Sequence, residues 1–443
     1  MNNWETVELG EIVKLGGGKI HTGPFGSQLH ASDYVEQGIP CIMPANMINN
    51  RVDVSSIAMI SEADAERLSK YIVSEGDIVY SRRGDVTLKA LIREQESGYF
   101  CGTGCLLLRP GSKVDSEFLT YYLSTDTMKW WIRQQAVGAT MPNLNTGILA
   151  RIPFRAPSKE EQSALARVIS SLDKKIELNN KINAELEAMA RLIYDYWFVQ
   201  FDFPDANGKP YKSSGGKMVY NEELKREIPE GWEVGKLGDW IRSDKTGDWG
   251  KETAQGNYTL QVNCIRGADI NGLNGKGKVK SPTRYITQKN KHKLLAPYDL
   301  IIEISGGSPK QSTGRISMLT SEVFERFSAP LICSNFCKAI SLVDNAYLYN
   351  FVYQWNAIYD SGALFGWEGK TSGIKNLLFD SFVTRFSVPL PPEELAKTFY
   401  SAIAPIQIKK QKALKENSKL EELKDWLLPM LMNGQVTVSS EYN

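Results

Sequence analysis

The sequence is poor in the residues that usually mark an active site. Its 443 residues include only three histidines, His21, His30 and His292, all in polar contexts that suggest surface positions. No H-E-x-x-H, G-x-S-x-G or dinucleotide fingerprint following a strand is present, and no N/D-P-P-Y/F tetrapeptide. Two stretches approach a phosphate-binding loop and fail. GLNGKGKV, Gly272 to Val279, ends in Val279 where Ser or Thr would hold magnesium, and Leu364 stands where the first loop glycine before Gly369-Lys370-Thr371 belongs. A self-contained nuclease or methyltransferase is therefore disfavoured. No apolar run reaches membrane-span length, and MNNWETVELGEI lacks the apolar core of a signal peptide, so a cytoplasmic protein is expected. The net charge is only +1, so bulk charge does not point to nucleic acid.

The six cysteines are Cys41, Cys101, Cys105, Cys264, Cys333 and Cys337. Two C-x3-C pairs could supply four zinc thiolates if they met. Their surroundings, YFCGTGCLLLRP and LICSNFCKAISL, read instead as buried strands, where cysteine acts as a small hydrophobe. The remainder, 42% hydrophobic and 23% charged, is ordinary for a soluble chain of two to three domains.

What is abundant is helical periodicity. After Pro157, Ser158 and Glu161 have capping-box spacing. Spacings of three and four then select Leu165, Ile169, Leu172, Ile176, Asn179, Asn183, Leu186, Ala190, Ile193 and Trp197, a heptad seam with two polar steps. No Gly or Pro intervenes before Pro204, which predicts a helix roughly 60 Å long. Adding 234 to each position gives Phe399, Ile403, Ile406, Lys410, Ala413, Asn417, Leu420, Lys424, Leu427 and Leu431. The two stripes could lie in separate cores, but the matched register favours packing on each other, with buried Asn fixing one alignment. Pro405 predicts a kink and Pro429 an early stop.

The helices punctuate a longer repeat. WETVELGEIV is echoed by WEVGKLGDWI, with VELGEIVKL read as a strand. RLSKYIVSEGDIVYSRRG is echoed by HKLLAPYDLIIEISGG, placing Asp299 opposite Asp77. The C-x3-C pairs oppose each other, as do SEFLTYYLS and NAYLYNFVYQW, and ARIPFRAPS and TRFSVPLPP. Asp115 should cap one continuous helix, SEFLTYYLSTDTMKWWIRQQ. The expected boundaries are a globular domain at 1–157, a long helix at 158–200, a Pro/Gly/Ser/Lys linker with at most short polar elements at 201–231, a second globular domain at 232–390, a second helix at 391–434 and a tail at 435–443. The expected fold is α+β: two α/β domains in pseudo-twofold repeat, joined by long helices forming an antiparallel coiled coil. Residues 232–390 carry 19 Lys/Arg against 14 Asp/Glu, and Lys276, Lys278, Lys280, Arg284, Lys289, Lys291 and Lys293 follow one another without an acid. That run is either a solvated loop or a phosphate contact.

The order of these parts resembles the specificity subunit of type I restriction-modification systems. The strongest local resemblances are IPEGWEVGKLGD, FDFPDANGKPYKSSGGKMV and the PSKEEQ…SLDKKIELNNKIN helix. The resemblance implies a non-catalytic, DNA-binding subunit serving in phage defence. Each globular segment would be a target-recognition domain reading one half of a bipartite site in double-stranded DNA. The paired helices would set the gap and dock two DNA-adenine methyltransferase subunits, with restriction subunits joining the full complex. No cofactor is implied for this chain; S-adenosylmethionine would serve the methyltransferase, and ATP with magnesium the restriction subunit. The second helix departs from the family pattern, opening PPEELAKTFY in place of P-x-x-E-Q, so the two helices need not bind the methyltransferase equally. The competing expectation is a coiled-coil scaffold that reads no DNA.

Matching loops to the family gives candidate readers: Gly26, Ser27 and Gln28 in GPFGSQ; Arg82 and Arg83 after the IVY strand; Thr140 and Asn143 before the last strand; and Ser305, Lys310, Gln311, Lys370 and Thr371 in the second half. Arg and Gln are natural readers of guanine and adenine. Lys276, Lys278, Lys280 and Arg284 are the candidate phosphate contacts.

Overall fold

The structure is a computed structural model describing residues 4–138, 141–155, 157–308, 310–371 and 373–438, without the side chains of Lys370 and Thr371. It divides into two compact units, residues 1–175 with 420–443 and residues 176–419, so each unit includes part of both long helices.

Each unit is built on the same plan. In the first, an antiparallel sheet has the order Lys19–Thr22, Cys105–Arg109, Ile78–Ser81, Lys89–Leu91. In the second, the order is Ile241–Thr246, Cys337–Leu342, Leu300–Glu303, Ile316–Met318. Both central strands, Ile78–Ser81 and Leu300–Glu303, are buried along their whole length, which explains why they read as unbroken apolar runs. A second sheet in each unit has a parallel pair: Ile39–Ile42 with Phe100–Cys101, and Tyr258–Ile265 with Leu331–Cys333. A two-stranded ribbon ties the start of each globular part to its end, Thr6–Glu8 with Pro153–Arg155 and Glu233–Lys236 with Ser387–Leu390.

Two local expectations are corrected. The segment after Thr6–Glu8 is the helix Leu9–Leu15 rather than a strand, because Leu9 and Val13 share one buried face four residues apart. The aromatic segment is two helices, Ser116–Tyr122 and Asp126–Gln135. Asp115 caps the first through Phe118 N at 2.8 Å, and Thr125 caps the second.

The first long helix runs Lys159–Tyr194, 36 residues, and passes into a π-turn at Asp195–Val199. Ser158 Oγ accepts from Glu161 N at 3.3 Å, as the cap predicts. The second runs Glu393–Met432, 40 residues, as one helix through Pro405 and three residues beyond Pro429. In the first unit, Leu165, Ile169 and Leu431 are buried with Phe118 and Phe154, while Leu427 packs against that core. Asp115 and Gln162 dock the start of the helix: Gln162 Oε1 accepts from Asp115 N at 2.9 Å, and Ser163 donates to Asp115 at 2.7 Å.

In the second unit the helices run antiparallel. Asn179 donates to Asn417 at 2.9 Å, Asn417 donates to Asn180 at 2.8 Å, and Lys410 Nζ lies 2.6 Å from Glu187. Burial raises Glu187, but the Lys410 ammonium and its hydrogen bond outweigh that and hold the carboxyl below its ordinary value. Leu172, Ile176, Leu186, Ile406 and Leu420 are half-buried, and Ile403 is fully buried, so the predicted stripe is the packed one. The Asn pair that bonds across the helices is Asn179 with Asn417. Asn183 corresponds to Asn417 in the repeat but does not meet it. Both of its buried amide atoms lack a hydrogen-bond partner.

The segment 201–231 is folded. Phe203 stacks on Tyr211 with ring centroids 4.7 Å apart and on Trp232 at 5.6 Å. Asp202 accepts from Ser213 N at 2.7 Å and Oγ at 2.6 Å, and a hairpin joins Met218–Asn221 to Arg226–Pro229. The FDFPDANGKPYKSSGG motif is thus an aromatic and hydrogen-bonded clasp.

Candidate nucleic-acid interface

In each unit the loops at one end of the antiparallel sheet converge through an equivalent backbone frame. In the first, Gly23 N donates to Cys105 O at 2.9 Å, Arg82 N to Gly104 O at 2.9 Å, and Leu144 N to Arg82 O at 2.9 Å. Arg83 and Asn143 form an antiparallel bridge. In the second, Ile304 N donates to Phe336 O at 2.9 Å and Leu377 N to Ile304 O at 2.8 Å, matching the bonds of Arg82 and Leu144. Ser305 pairs with Asn376, and its hydroxyl donates to Asn376 Oδ1 at 2.6 Å. Ile304 therefore occupies the place of Arg82, Ser305 that of Arg83, Phe336 that of Gly104, and Asn376 that of Asn143.

The loop after the first strand of this sheet reads T-G-x-aromatic-G in both units, Thr22 to Gly26 and Thr246 to Gly250. Glycine is required at its second position. A Cβ on Gly23 would collide with the carbonyl of Gly102, and one on Gly247 with that of Ser334. The fourth position presents Phe25, 52% exposed, and Trp249, 37% exposed. Each carries a guanidinium on its ring: Arg82 at 5.5 Å from Phe25 and Arg284 at 4.0 Å from Trp249. Neither Arg82 Nε nor Arg284 Nε, both buried, has a hydrogen-bond partner.

The predicted readers distribute as follows. Gly26 and Ser27 are exposed on the aromatic loop, and Gln28 Oε1 braces it by accepting from Phe25 N and Tyr71 Oη, each at 3.1 Å. Arg82, Arg83 and Asn143 come together with that loop. Thr140 lies outside the described residues. Ser305 reaches the equivalent place in the second unit. Lys310 and Gln311 are exposed, and Gln311 O accepts from Lys375 Nζ at 3.2 Å. Lys370 and Thr371 belong to the strand Glu368–Thr371, which pairs with Ile374–Leu377.

The phosphate candidates separate. Lys276, Lys278 and Lys280 are exposed, but Lys276 borders another cleft, beside Glu187, Arg191 and Lys410 of the helices. Arg284 is corrected. It is 8% exposed, stacked on Trp249 and 3.1 Å from Glu252, so it is a buried structural cation rather than a solvent-facing phosphate contact.

Sequence reasoning missed Phe25, Trp249, Phe336 and Asn376. The first two were recoverable by laying HTGPFG over KTGDWG. Asn376 was recoverable by carrying Asn143 forward in the repeat register.

In the second unit these loops enclose a cleft of about 570 Å³ lined by Trp249, Phe336, Ile374, Arg266, Glu303, Ser305 and Asn335, among others. Glu303 is held in a fork by Arg315 at 2.7 and 2.8 Å. All six cysteines are free and buried, and burial raises the thiols of Cys41, Cys264 and Cys333 to about 12, which suits packing rather than nucleophilic chemistry. Among the described residues no group of three or more His, Cys, Asp or Glu could hold a metal ion, and no helix is long and apolar enough to cross a membrane.

Residues 1–188 match the family model described as the type I restriction modification DNA specificity domain. The likeness continues beyond it. The type I restriction enzyme MjaIX specificity subunit of Methanocaldococcus jannaschii is 25% identical over 445 residues, covering 98% of this chain and 94% of that protein. The putative MjaX specificity subunit of the same organism is 22% identical over 447 residues, covering 99% and 95%. The crystal structure of the type I restriction-modification S subunit from M. genitalium shares the fold, with a TM-score of 0.58 at 17% identity over 97% of both chains.

Proposed function

We propose that this chain is the DNA-reading subunit of a type I restriction-modification complex and that each unit reads one half of a bipartite, asymmetric site. One observation carries this reading: the two loop clusters share a backbone frame yet present different side chains, Phe25, Arg82 and Arg83 in one and Trp249, Ile304 and Ser305 in the other. A shared frame with different readers suits two related modules addressing different base sequences. The paired helices set the gap between half-sites, about one DNA turn or roughly 34 Å. They also dock two DNA-adenine methyltransferase subunits, which use S-adenosylmethionine; restriction subunits bring ATP and magnesium. The chain itself is non-catalytic and works in the cytoplasm.

The test is to co-express the chain with its methyltransferase partner in a methylation-free host and map modified adenine across the genome. A bipartite asymmetric motif with a fixed gap is expected. An assembled complex that modifies no defined motif would leave the helices as a scaffold and overturn the reading.

A further inference from the structure

The two loop clusters differ at one framework position. Where the first unit has Gly104, the second has Phe336, which is 51% exposed and shares a cleft with Trp249. The cleft holds about 570 Å³ and combines two aromatic side chains with a few polar ones, Glu303, Ser305 and Asn335. That is the composition of a site for a flat, partly polar ligand: apolar surface for the faces, hydrogen-bonding groups for an edge. Its volume falls in the range of small-ligand sites and exceeds what a side chain reading a groove edge would need. Arg284 backs the indole at 4.0 Å, and its buried Nε has no partner. Glu303 is already fixed by Arg315, so an acceptor waits in the cleft without having to be ordered.

We propose that this cleft receives one nucleobase turned out of the duplex, stacked on Trp249 and Phe336 and met at its edge by Glu303, Ser305 or Asn335. The inference rests on the DNA-reading function proposed above and concerns the second unit alone. A base with a free amino group, adenine or cytosine, suits the Glu303 carboxylate, which accepts and cannot donate. Turning a base out costs unstacking and unpairing, and that cost falls when the base has no partner. The half-site read by the second unit is therefore selected partly by how easily one pair opens.

The experiment uses the full chain and the duplex carrying the motif found by genome mapping. The base opposite each position is removed in turn, and affinity is measured for every duplex. One position, in one half-site only, should bind roughly tenfold more tightly when its partner base is absent. Trp249→Ala and Phe336→Ala should lose that gain, whereas Trp249→Phe, which keeps an aromatic face, should retain most of it. The melting temperature of each variant separates a lost stack from a lost fold. If wild type binds its intact site selectively but gains at no position, or if both Ala variants keep the gain, the cleft does not take a base while the reading function stands. If wild type does not distinguish its site from an unrelated duplex, the DNA-reading proposal itself fails, and this inference with it.

Discussion

Asp77 and Asp299 occupy the same turn in the two units and satisfy it by different means. Each carboxylate reaches back three residues to close the turn, accepting from Ser74 N at 2.9 Å or from Ala296 N at 2.8 Å. The preceding residue is left-handed in both, Gly76 at φ 84° and Tyr298 at φ 72°. Asp77 is then held by Arg109 at 3.0 Å, whereas Asp299 takes Lys245 at 2.7 Å and Ser341 at 2.6 Å. The turn launches the buried central strand that ends among the candidate reading loops. Asp77→Ala or Asp299→Ala should each cost about 2 kcal/mol, since a turn N–H and a partly exposed cation both lose the buried carboxylate. Hydrogen exchange should show the loss confined to the unit mutated.

The buried amides on the helices should respond in opposite directions. Asn183 has two unpartnered buried polar atoms, so Asn183→Leu should stabilise the chain by about 1 kcal/mol. Asn179 donates to Asn417 and to Glu416, at 2.9 and 2.7 Å, so Asn179→Leu should destabilise it by a similar amount. Denaturant melts of the two variants check the contrast.

Lys89 gives the first unit a pH signature. Burial, with help from Lys129, lowers its ammonium to about 7, against about 10.4 in an unfolded chain. Between those values the unfolded chain binds the proton and the folded one does not, so this group makes stability rise with pH from about 7 to 10.4 and then level off. Lys89→Met should raise the melting temperature at pH 7.5, and the gain should shrink toward pH 10.5.

Arg82 and Arg83 stand where the aromatic loop, the end of the central strand and the 141–144 segment meet. Arg82→Ala combined with Arg83→Ala should abolish methylation at the cognate site while leaving the circular dichroism melt unchanged. Unaltered methylation would remove both from the interface.

The helices and the repeat were legible because they rest on periodicity and register. The spacing from Leu165 to Trp197 encodes one buried stripe, and the same spacing recurs from Phe399 to Leu431. The candidate loops have no period, and matching them to the family pointed to Lys370 and Thr371 rather than Asn376. Exposed aromatics such as Phe25 and Trp249 read as ordinary loop residues until the backbone frame places them beside a guanidinium. Arg284 misled for the opposite reason: within a basic run its charge suggests solvent, but strand pairing at Val262 turns it inward onto Trp249. The antiparallel pairing of the helices also decides which Asn meet, and matching positions along the repeat cannot show that.

The most direct test of the two-reader account is a segment exchange. Residues 4–155 would be replaced by the corresponding segment of a related specificity subunit such as MjaIX, both long helices being kept, and the modified bases mapped again. The account predicts that one half of the motif changes while the other half and the gap length stay as they were. A motif that changes in both halves, or in neither, would contradict it.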